Sequence, residues 1–391
     1  MLGRAVVFST TGATRDVLFA LLNVGAVYAL YFPFGHLSQL AVYLMYVGLA
    51  AFQFWLLSRR GSTALAFATP LVFLVAIKAA LAILDPDAAL PGNRPILPLL
   101  GALVGISYFA FRTCQLALEV RNGQVARPTL WQYLAFSFFA PTMAVGPISR
   151  YSVFHSSIEA RGGGSVGPPT RAAMRLLVGA VKYRFLAGLL DQLTYRGLLL
   201  DGHPHGSLDL VIAAVAYYLF LYCNFSGFCD MAIGTAGLMG VRIEENFRYP
   251  FAARNARDFW NRWHITLSVF MRDIVFTPAS KYLTRAFGIK GANHAAALSI
   301  GLVFILIGLW HGTGWNYLAF GVTQAVGVAT THYYTLWLKG LGRERFRAYM
   351  DSRWIEAAAI GVTLVFTTGA FFLFANSVAD IREIFAALGW S

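Results

Sequence analysis

Charge is scarce in this chain. Of its 391 residues only 13% are Asp, Glu, Lys or Arg, whereas 58% are hydrophobic, and the mean hydropathy is +0.59. A soluble domain does not carry so much apolar surface, because polar groups must solvate its exterior. The composition therefore excludes an ordinary soluble enzyme and predicts an integral membrane protein.

The signatures of several chemistries are missing. The sequence has no G-x-S-x-G turn, no H-E-x-x-H helix, no P-loop and no dinucleotide-binding fingerprint. The cysteines lie in apolar segments and form no C-x-x-C pair, which argues against a disulfide framework and a zinc knuckle; they are Cys114, Cys223 and Cys229. His203 and His205 have only Asp201 and Asp209 as neighbouring ligands. Neither a metal nor a bound cofactor is expected.

Long apolar runs are abundant instead. Most have a length near the roughly 20 residues that cross a bilayer. They are 17–32, 38–57, 65–84, 97–118, 175–194, 209–240, 294–310, 314–337 and 355–375. Segment 130–148 is also apolar, but Pro141 and Pro147 interrupt it, so we expect it to be re-entrant and surrounded by protein. The pattern predicts an all-α polytopic membrane protein.

Positive charge exceeds negative charge by a formal +13. Such an excess is compatible with nucleic-acid binding, but here the cations gather in particular loops between apolar runs. That distribution is typical of the positive-inside rule, which places basic loops on the cytoplasmic side. Membrane lipids are therefore expected partners, and nucleic acid is not.

The block 242–292 is the least apolar part of the chain. Within it, residues 256–276 read as one amphipathic helix, on which Asp258 and Arg262 have the spacing of an ion pair. The predicted apolar face consists of Trp260, Trp263, His264 and Leu267. Dense Trp and Arg predict a helix at the cytoplasmic interface, which either anchors the protein or dips partly into the bundle.

His311 lies within residues 295–338, a stretch without Asp, Glu, Lys or Arg. An ionisable group in a membrane-spanning segment costs about 2.5–3.5 kcal/mol on insertion scales, so it requires a reason. Its neighbours are small or flat: Gly308, Trp310, Gly312, Gly314 and Trp315. Two interpretations follow, a hydrogen-bonded core imidazole, or a general base that backbone, water or a ligand can approach closely.

Two further apolar runs contain polar side chains. One holds Lys182 close to Arg184 and Asp191, which is either a pair that snorkels to the interface or a polar site in the bundle. The polar residues of the other run either line a pocket or form hydrogen bonds between helices. Its polar members are Asn224, Ser226 and Asp230.

Two motifs in combination resemble a known family. The first, ENFRYPFAARNARDFWNRWHITLSVFMRDIVFTP, spans 245–278, and the second, GLWHGTGWNYLAFG, spans 308–321, so that His264 and His311 lie 47 residues apart. This combination is similar to the signature of the membrane-bound O-acyltransferases. The resemblance implies a bundle of about nine to eleven transmembrane helices, with re-entrant and interfacial helices around a central tunnel.

The resemblance also implies roles for residues. His311 corresponds to the family's catalytic histidine and His264 to the histidine that precedes it. Positions expected to contact substrate or line the tunnel are Trp310, Trp315, Asn224, Ser226, Asp230, Trp260, Trp263, Asn261 and Lys182. One departure is that the family's F-D-F-[SA]-G reads Cys223 to Gly227 here, with Asn224 in place of Asp. Any role that needs a carboxylate at that position is in doubt.

Within the family, the similarity covers roughly 100 to 330 and favours the bacterial branch. AVGPISRY (144–151) and GISYFAFRTCQLALEVRNGQV (105–125) look closer to the D-alanyl transferases of teichoic-acid modification than to the alginate O-acetylases. A single domain over 1–391 is expected: peripheral helices in 1–96, a core in 97–338, and a C-terminal helix in 355–391. The Arg- and Ala-rich composition argues that the acceptor differs from teichoic acid.

The resemblance implies a multi-pass enzyme of the bacterial cell membrane. It would move an acyl group, for example D-alanyl, from the thioester of a cytoplasmic acyl carrier protein or from acyl coenzyme A. The acceptor would be a hydroxyl of an extracytoplasmic cell-wall or surface glycopolymer, and an accessory acylation protein is a further expected partner. The alternatives are an alginate- or cellulose-type O-acetyltransferase, a transporter or lipid flippase, and a non-catalytic scaffold.

Overall fold

A computed structural model describes residues 2–31, 37–59, 61–84, 105–160 and 166–390, and these ranges are predominantly helical. Their α-helices are α1 (Leu2–Ser9), α2 (Gly12–Tyr31), α3 (Leu37–Ser58), α4 (Thr63–Leu84), α5 (Ile106–Arg121), α6 (Leu130–Ser137), α7 (Tyr151–Glu159), α8 (Pro169–Ala180), α9 (Ala187–Asp191), α10 (Ser207–Leu238), α11 (Ala256–Trp260), α12 (Ile265–Met271), α13 (Thr277–Phe287), α14 (Ala292–His311), α15 (Trp315–Gly340), α16 (Arg343–Asp351), α17 (Arg353–Ala375) and α18 (Val378–Ala387).

The chain divides into two compact units. The first contains Met1–Val181 and Gly227–Glu245, and the second contains Lys182–Ser226 and Asn246–Ser391. Both units take part of the long helix α10. The two histidines of the sequence motifs belong to the second unit.

Within the described ranges, six helical segments are long and apolar enough to cross a membrane. They are Gly12–Tyr31, Leu40–Ser58, Thr63–Ala80, Ser207–Leu238, Ile289–His311 and Arg353–Ala375. This confirms the all-α polytopic class. The apolar run 97–118 begins outside the described residues, and the run 175–194 is interrupted by the π-helical turn Val181–Leu186. The larger number of spans stays a prediction.

Segment 130–148 leaves the helical conformation where proline requires it. Helix α6 ends at Ser137, and a 3-10 turn with Pro141 at its second position follows. The fully buried Arg112 of α5 donates through Nη1 to the Phe136 carbonyl at 2.8 Å and through Nη2 to the Thr142 carbonyl at 2.6 Å. A guanidinium with five donors thus satisfies carbonyls that an irregular backbone leaves without helical partners. The predicted break is confirmed, and re-entry stays a prediction.

The single helix expected over 256–276 is wrong. Helix α11 ends at Trp260, α12 begins at Ile265, and between them His264 has a left-handed backbone with φ +46°. The cause is distant in sequence, because Phe247 forms an antiparallel bridge with Trp263. The proposed helical face of Trp260, Trp263, His264 and Leu267 therefore does not exist as a stripe. The Asp258–Arg262 ion pair is confirmed, with 2.8 Å between Oδ1 and Nε.

Helices α14 and α15 pack with their backbones close together, which places His311 at the turn between them. A Cβ built on Gly308 would lie 2.4 Å from the Tyr317 carbonyl oxygen, and one on Gly321 would lie 2.5 Å from the Phe304 carbonyl oxygen. Side chains larger than hydrogen cannot occupy these two positions without moving a helix. The glycines thus set the spacing of the two helices that flank His311.

Candidate functional site

His264 is held in a buried position by its unusual backbone. Only 5% of its surface is exposed, and the ring of Phe225 meets the imidazole nearly perpendicularly, with the ring centroids 4.7 Å apart. Its Nδ1 lies 3.3 Å from Oδ1 of Asn246. Burial, and after it the nearby His311, lower the pKa of His264 to about 3. His264 is therefore a neutral imidazole across the physiological pH range.

His311 has a different environment. It is the last residue of α14, it is half-buried, and aromatic rings surround it. The centroids of Trp310 and Phe374 lie 4.5 and 4.8 Å from the imidazole, and those of Tyr317 and Phe320 lie 6.4 Å away. Within the second unit, Phe371 packs on both Trp263 and Phe320, with ring centroids 5.3 and 5.8 Å apart, and so joins the segment of His264 to the rings around His311. The motifs thus come together in space.

The glycines around His311 serve packing more than access. A Cβ on Gly312 would lie 2.3 Å from the Tyr317 ring, and one on Gly314 would lie 2.3 Å from Oδ1 of Asn316. Gly312 and Gly314, like Gly308 against the backbone of α15, therefore leave room for neighbouring atoms of the protein itself. The sequence left open whether backbone, water or a ligand approaches His311 beside these glycines. In the structure, backbone and side-chain atoms of the protein occupy the space next to them.

The four tryptophans named by the sequence differ in position. Trp310 stacks obliquely against the His311 ring, whereas Trp315 is 76% exposed. Trp260 is buried and donates from Nε1 to Oε1 of the fully buried Gln324 at 3.0 Å. Trp263 is also buried and packs perpendicularly on Phe247 with centroids 5.0 Å apart. Trp310 is thus the tryptophan whose ring contact with His311 is observed directly.

A cavity of about 340 Å³ lies in the second unit, and part of its lining comes from the first histidine motif. Its lining is Arg254, Asn255, Arg257, Asp258, Asn261, Thr331, Tyr334, Thr335, Leu338, Phe346, Tyr349, Met350, Ile355, Glu356 and Ala359. Arg254 pairs with Glu356, and Nη2 of Arg257 lies 3.0 Å from Nδ1 of His332. Charged side chains therefore form part of the lining, and of its two guanidinium groups and two carboxylates, Arg254 and Glu356 pair with each other. Asn261, a predicted substrate residue, is part of this lining.

The remaining polar positions fall into both units. In the second unit, Nζ of Lys182 lies 3.4 Å from Oγ of the buried Ser226 and 5.5 Å from the ring centroid of Tyr222, and Asn224 is half-buried. In the first unit, Asp230 accepts from Nε of Arg175 at 2.9 Å. Lys182 therefore lies beside Ser226 of α10.

Metal chemistry finds no support in the described part of the chain, where no three His, Cys, Asp or Glu side chains come together as ligands. Nε2 of His205 instead pairs with Oδ1 of Asp201 at 2.9 Å. The hydrogen bond to this carboxylate raises the pKa of His205. The pair caps a loop outside the candidate spans.

Three residues of the site were missed by sequence reasoning. Asn246 had a signal, because it is the second residue of the ENF segment that begins the first motif. Phe225 stood beside the polar positions of α10 but was treated only as an aromatic neighbour. Phe374 lies 63 residues beyond His311 in α17, and no local pattern connects it to that histidine.

The sequence matches the model of the family described as MBOAT, membrane-bound O-acyltransferase family, over residues 61–352. The match extends beyond the range 100 to 330 that the motifs indicated. The chain is also 31% identical over 285 residues to the teichoic acid D-alanyltransferase of Bacillus subtilis, a similarity that covers 70% of this chain and 69% of that protein.

Two further relatives support the same family. The teichoic acid D-alanyltransferase of Streptococcus thermophilus is 29% identical over 325 residues, covering 79% of this chain and 75% of that protein. The probable alginate O-acetylase AlgI of Pseudomonas syringae is 31% identical over 239 residues, covering 59% of this chain but only 44% of that protein. Both relatives are acyl-transferring enzymes by name, so the transporter and scaffold alternatives receive no support. The chain belongs to the membrane-bound O-acyltransferase family and is a multi-pass membrane O-acyltransferase.

Proposed function

We propose that this enzyme transfers an acyl group, with D-alanyl as the first candidate, from a carrier-protein thioester to a hydroxyl of an extracytoplasmic glycopolymer. His311 acts as the general base. The observation that carries the proposal is the pairing of a half-buried, ring-enclosed His311 with a buried, neutral His264. D-alanyl is favoured because two relatives are named as D-alanyltransferases.

The chemistry needs one proton acceptor, since a thioester is already activated. Nitrogen of His311 takes the proton of the acceptor hydroxyl while its oxygen attacks the thioester carbonyl carbon. The tetrahedral intermediate then collapses, the carbon–sulfur bond breaks, and the imidazolium returns the proton to the departing thiolate. An ester and a free thiol result, and His311 is neutral again. His264 lines the donor side and positions the thioester arm.

The cavity lined by Arg254 and Asn261 would be the entry through which the arm of the donor reaches the site. Thr331 of α15 lines that cavity, and Phe320 on the same helix contacts His311. Positions separated by 11 residues return to nearly the same helix face, and at 1.5 Å per residue they lie about 16 Å apart. One face of α15 thus leads from this cavity to His311. A long, thin donor such as phosphopantetheine suits that path.

The partners follow from this arrangement. An acidic acyl carrier protein would dock at the basic block 242–292 on the cytoplasmic face, because complementary charge raises encounter rates. The acceptor glycopolymer, and an accessory protein that presents it, would approach from the other side. Lys182, Ser226 and Asn224 are candidates to contact substrate along α10.

A second candidate function is O-acetylation of a polysaccharide. The specific observation that favours it is the 31% identity to a probable alginate O-acetylase. The chain spans less than half of that protein's length, so this candidate ranks second.

The test uses the full-length protein in lipid nanodiscs with D-alanyl or acetyl thioesters of a phosphopantetheinylated carrier protein. Acceptors are polyglycerol phosphate and an alginate oligosaccharide, and mass spectrometry measures the ester formed. We expect the wild type to transfer D-alanyl and His311→Ala to lose transfer by roughly 10²–10⁴-fold, the usual contribution of a general base. The matched control is His294→Ala, which removes an exposed histidine of the same helix that bonds Tyr333. Full activity of His311→Ala would contradict the proposal.

A further inference from the structure

Asn246 is the centre of a compact hydrogen-bond cluster beneath His264. The segment that begins at Asn246 runs antiparallel to the segment that contains His264, with Ile265 N donating to the Asn246 carbonyl at 3.0 Å and Arg248 N donating to the Arg262 carbonyl at 2.9 Å. These bonds keep His264 at φ +46° and ψ +51°, a conformation that a non-glycine residue adopts only when its surroundings require it.

The side chain of Asn246 faces the ring of His264. Its Oδ1 accepts from Thr266 N at 3.2 Å and from Thr266 Oγ1 at 2.6 Å, and it lies 3.3 Å from His264 Nδ1. A backbone N–H can only donate, so the atom that it meets must be the amide oxygen. The His264 nitrogen that faces this oxygen must therefore carry the hydrogen. In a neutral imidazole the lone pair is then on Nε2.

We propose that Asn246 is a positioning residue that holds His264 as the Nδ1–H tautomer, so that Nε2 accepts a hydrogen bond from a substrate N–H or O–H group. This inference rests on the proposed acyl transfer and assigns His264 a role distinct from that of His311. His264 orients the substrate by accepting a hydrogen bond, and His311 moves the proton.

The charges around His264 agree with a permanently neutral ring. Phe225 of α10 and Phe247 of the bridged segment face the imidazole, and neither side chain titrates. Among the described residues, His311 is the titratable group that acts on His264, and its positive form disfavours a second positive charge. Within the ranges that the structure describes, no carboxylate contributes to the pKa of His264.

The decisive variant is Asn246→Asp. It retains an oxygen for both Thr266 donors and for Nδ1–H, so a merely structural role predicts little change. A carboxylate at this position favours the imidazolium, in which Nε2 also carries a hydrogen and cannot accept. We expect the acidic limb of the kcat profile to move at least about one pH unit upward, with roughly 10-fold lower kcat near pH 6.5 and recovery near pH 9.

Thr266→Val is the matched control. It removes the Thr266 hydroxyl bond to the same Oδ1 but leaves Asn246 facing His264, so we expect the wild-type pH profile. Asn246→Ala removes the acceptor itself and should lower kcat by about 10- to 100-fold with little change in KM. A wild-type profile for Asn246→Asp, or an equal shift for Thr266→Val, would overturn the inference.

A spectroscopic measurement keeps the test independent of activity and of the folding of the Asn246 and Thr266 variants. Wild-type protein and His264→Gln, both labelled with ¹⁵N-histidine, are compared in nanodiscs, and the difference identifies the His264 signals. We expect a protonated Nδ1 and an unprotonated Nε2 from pH 6 to 9; the opposite tautomer contradicts the inference. The proposed function instead fails if the wild type transfers no acyl group or if His311→Ala remains active, and neither result affects the tautomer.

Discussion

At the scale of single residues, the two motif histidines are separated by their environments. His264 is buried, faces an amide oxygen and has a pKa of about 3, whereas His311 is half-buried within a ring of aromatic side chains. A group that stays neutral can accept a hydrogen bond but cannot hold a proton at neutral pH. A general base must do so. These environments agree with the proposed roles, in which His311 transfers the proton and His264 orients the substrate.

This difference predicts unequal effects of the same substitution. Glutamine retains an uncharged acceptor but cannot carry a proton, so His264→Gln should reduce kcat/KM by about 10-fold, whereas His311→Gln should reduce it by roughly 10²–10⁴-fold. The measurement is thiol release from D-alanyl carrier protein, with His294→Gln as the control that changes an exposed histidine. Equal losses for the two variants, or a larger loss for His264→Gln, would reverse the assignment.

At the scale of elements, the site depends on how closely α14 and α15 approach. Gly308 and Gly321 face each other across this contact, and both lie against backbone carbonyls that cannot rotate away as a side chain can. The turn between the helices carries His311, and the rings of Tyr317 and Phe320 on α15 contact it. Any separation of the two helices therefore alters the surroundings of His311.

Gly321→Ala tests this contact. Its Cβ would lie 2.5 Å from the Phe304 carbonyl oxygen, so we expect a loss of about 1–3 kcal/mol in the free energy of unfolding together with reduced activity. The matched control is Gly301→Ala on α14, where a Cβ meets no atom within 4 Å, and where alanine favours the helix by about 0.5–1 kcal/mol. Thermal unfolding in detergent gives both values. A Gly321→Ala protein as stable as Gly301→Ala would show that the contact tolerates a methyl group.

At the scale of the whole molecule, hydropathy indicates the membrane class, whereas the distribution of charge concerns orientation in the membrane and partner binding. The apolar helices establish the membrane class, while the excess of +13 gathers in loops. Two explanations account for the basic block 242–292: membrane orientation alone, or a docking surface for an acidic carrier protein. They differ in whether donor binding responds to charge on the exposed face of α13.

Charge reversal on α13 separates these explanations. The exposed Lys281 and Arg285 are changed together to Glu, and Arg382→Glu on α18 serves as a control of the same sign outside the block. If the block is a docking surface, the KM for D-alanyl carrier protein should rise by about 5- to 20-fold at low salt. High salt should remove the difference, because it screens exposed charges. The KM for a small D-alanyl pantetheine thioester should not change. An unaltered KM for the carrier protein would favour membrane orientation alone.

Local pattern was sufficient for part of this protein. Hydropathy depends on consecutive residues, so the sequence alone established the polytopic helical class, and the two histidine motifs indicated the acyltransferase family. Proline likewise predicted the end of α6, because its backbone cannot continue a helix.

The conformation of the site required tertiary structure. The helix expected over 256–276 is interrupted because Phe247 bridges to Trp263, and helical periodicity contains no information about such a partner. For the same reason, no sequence pattern predicted that Asn246 would face His264 or that Phe374 would pack on His311. The sequence by itself determined the membrane class and the family. The tertiary structure decided the burial and the hydrogen-bond partners of the site residues, because both depend on residues that are neighbours only after folding.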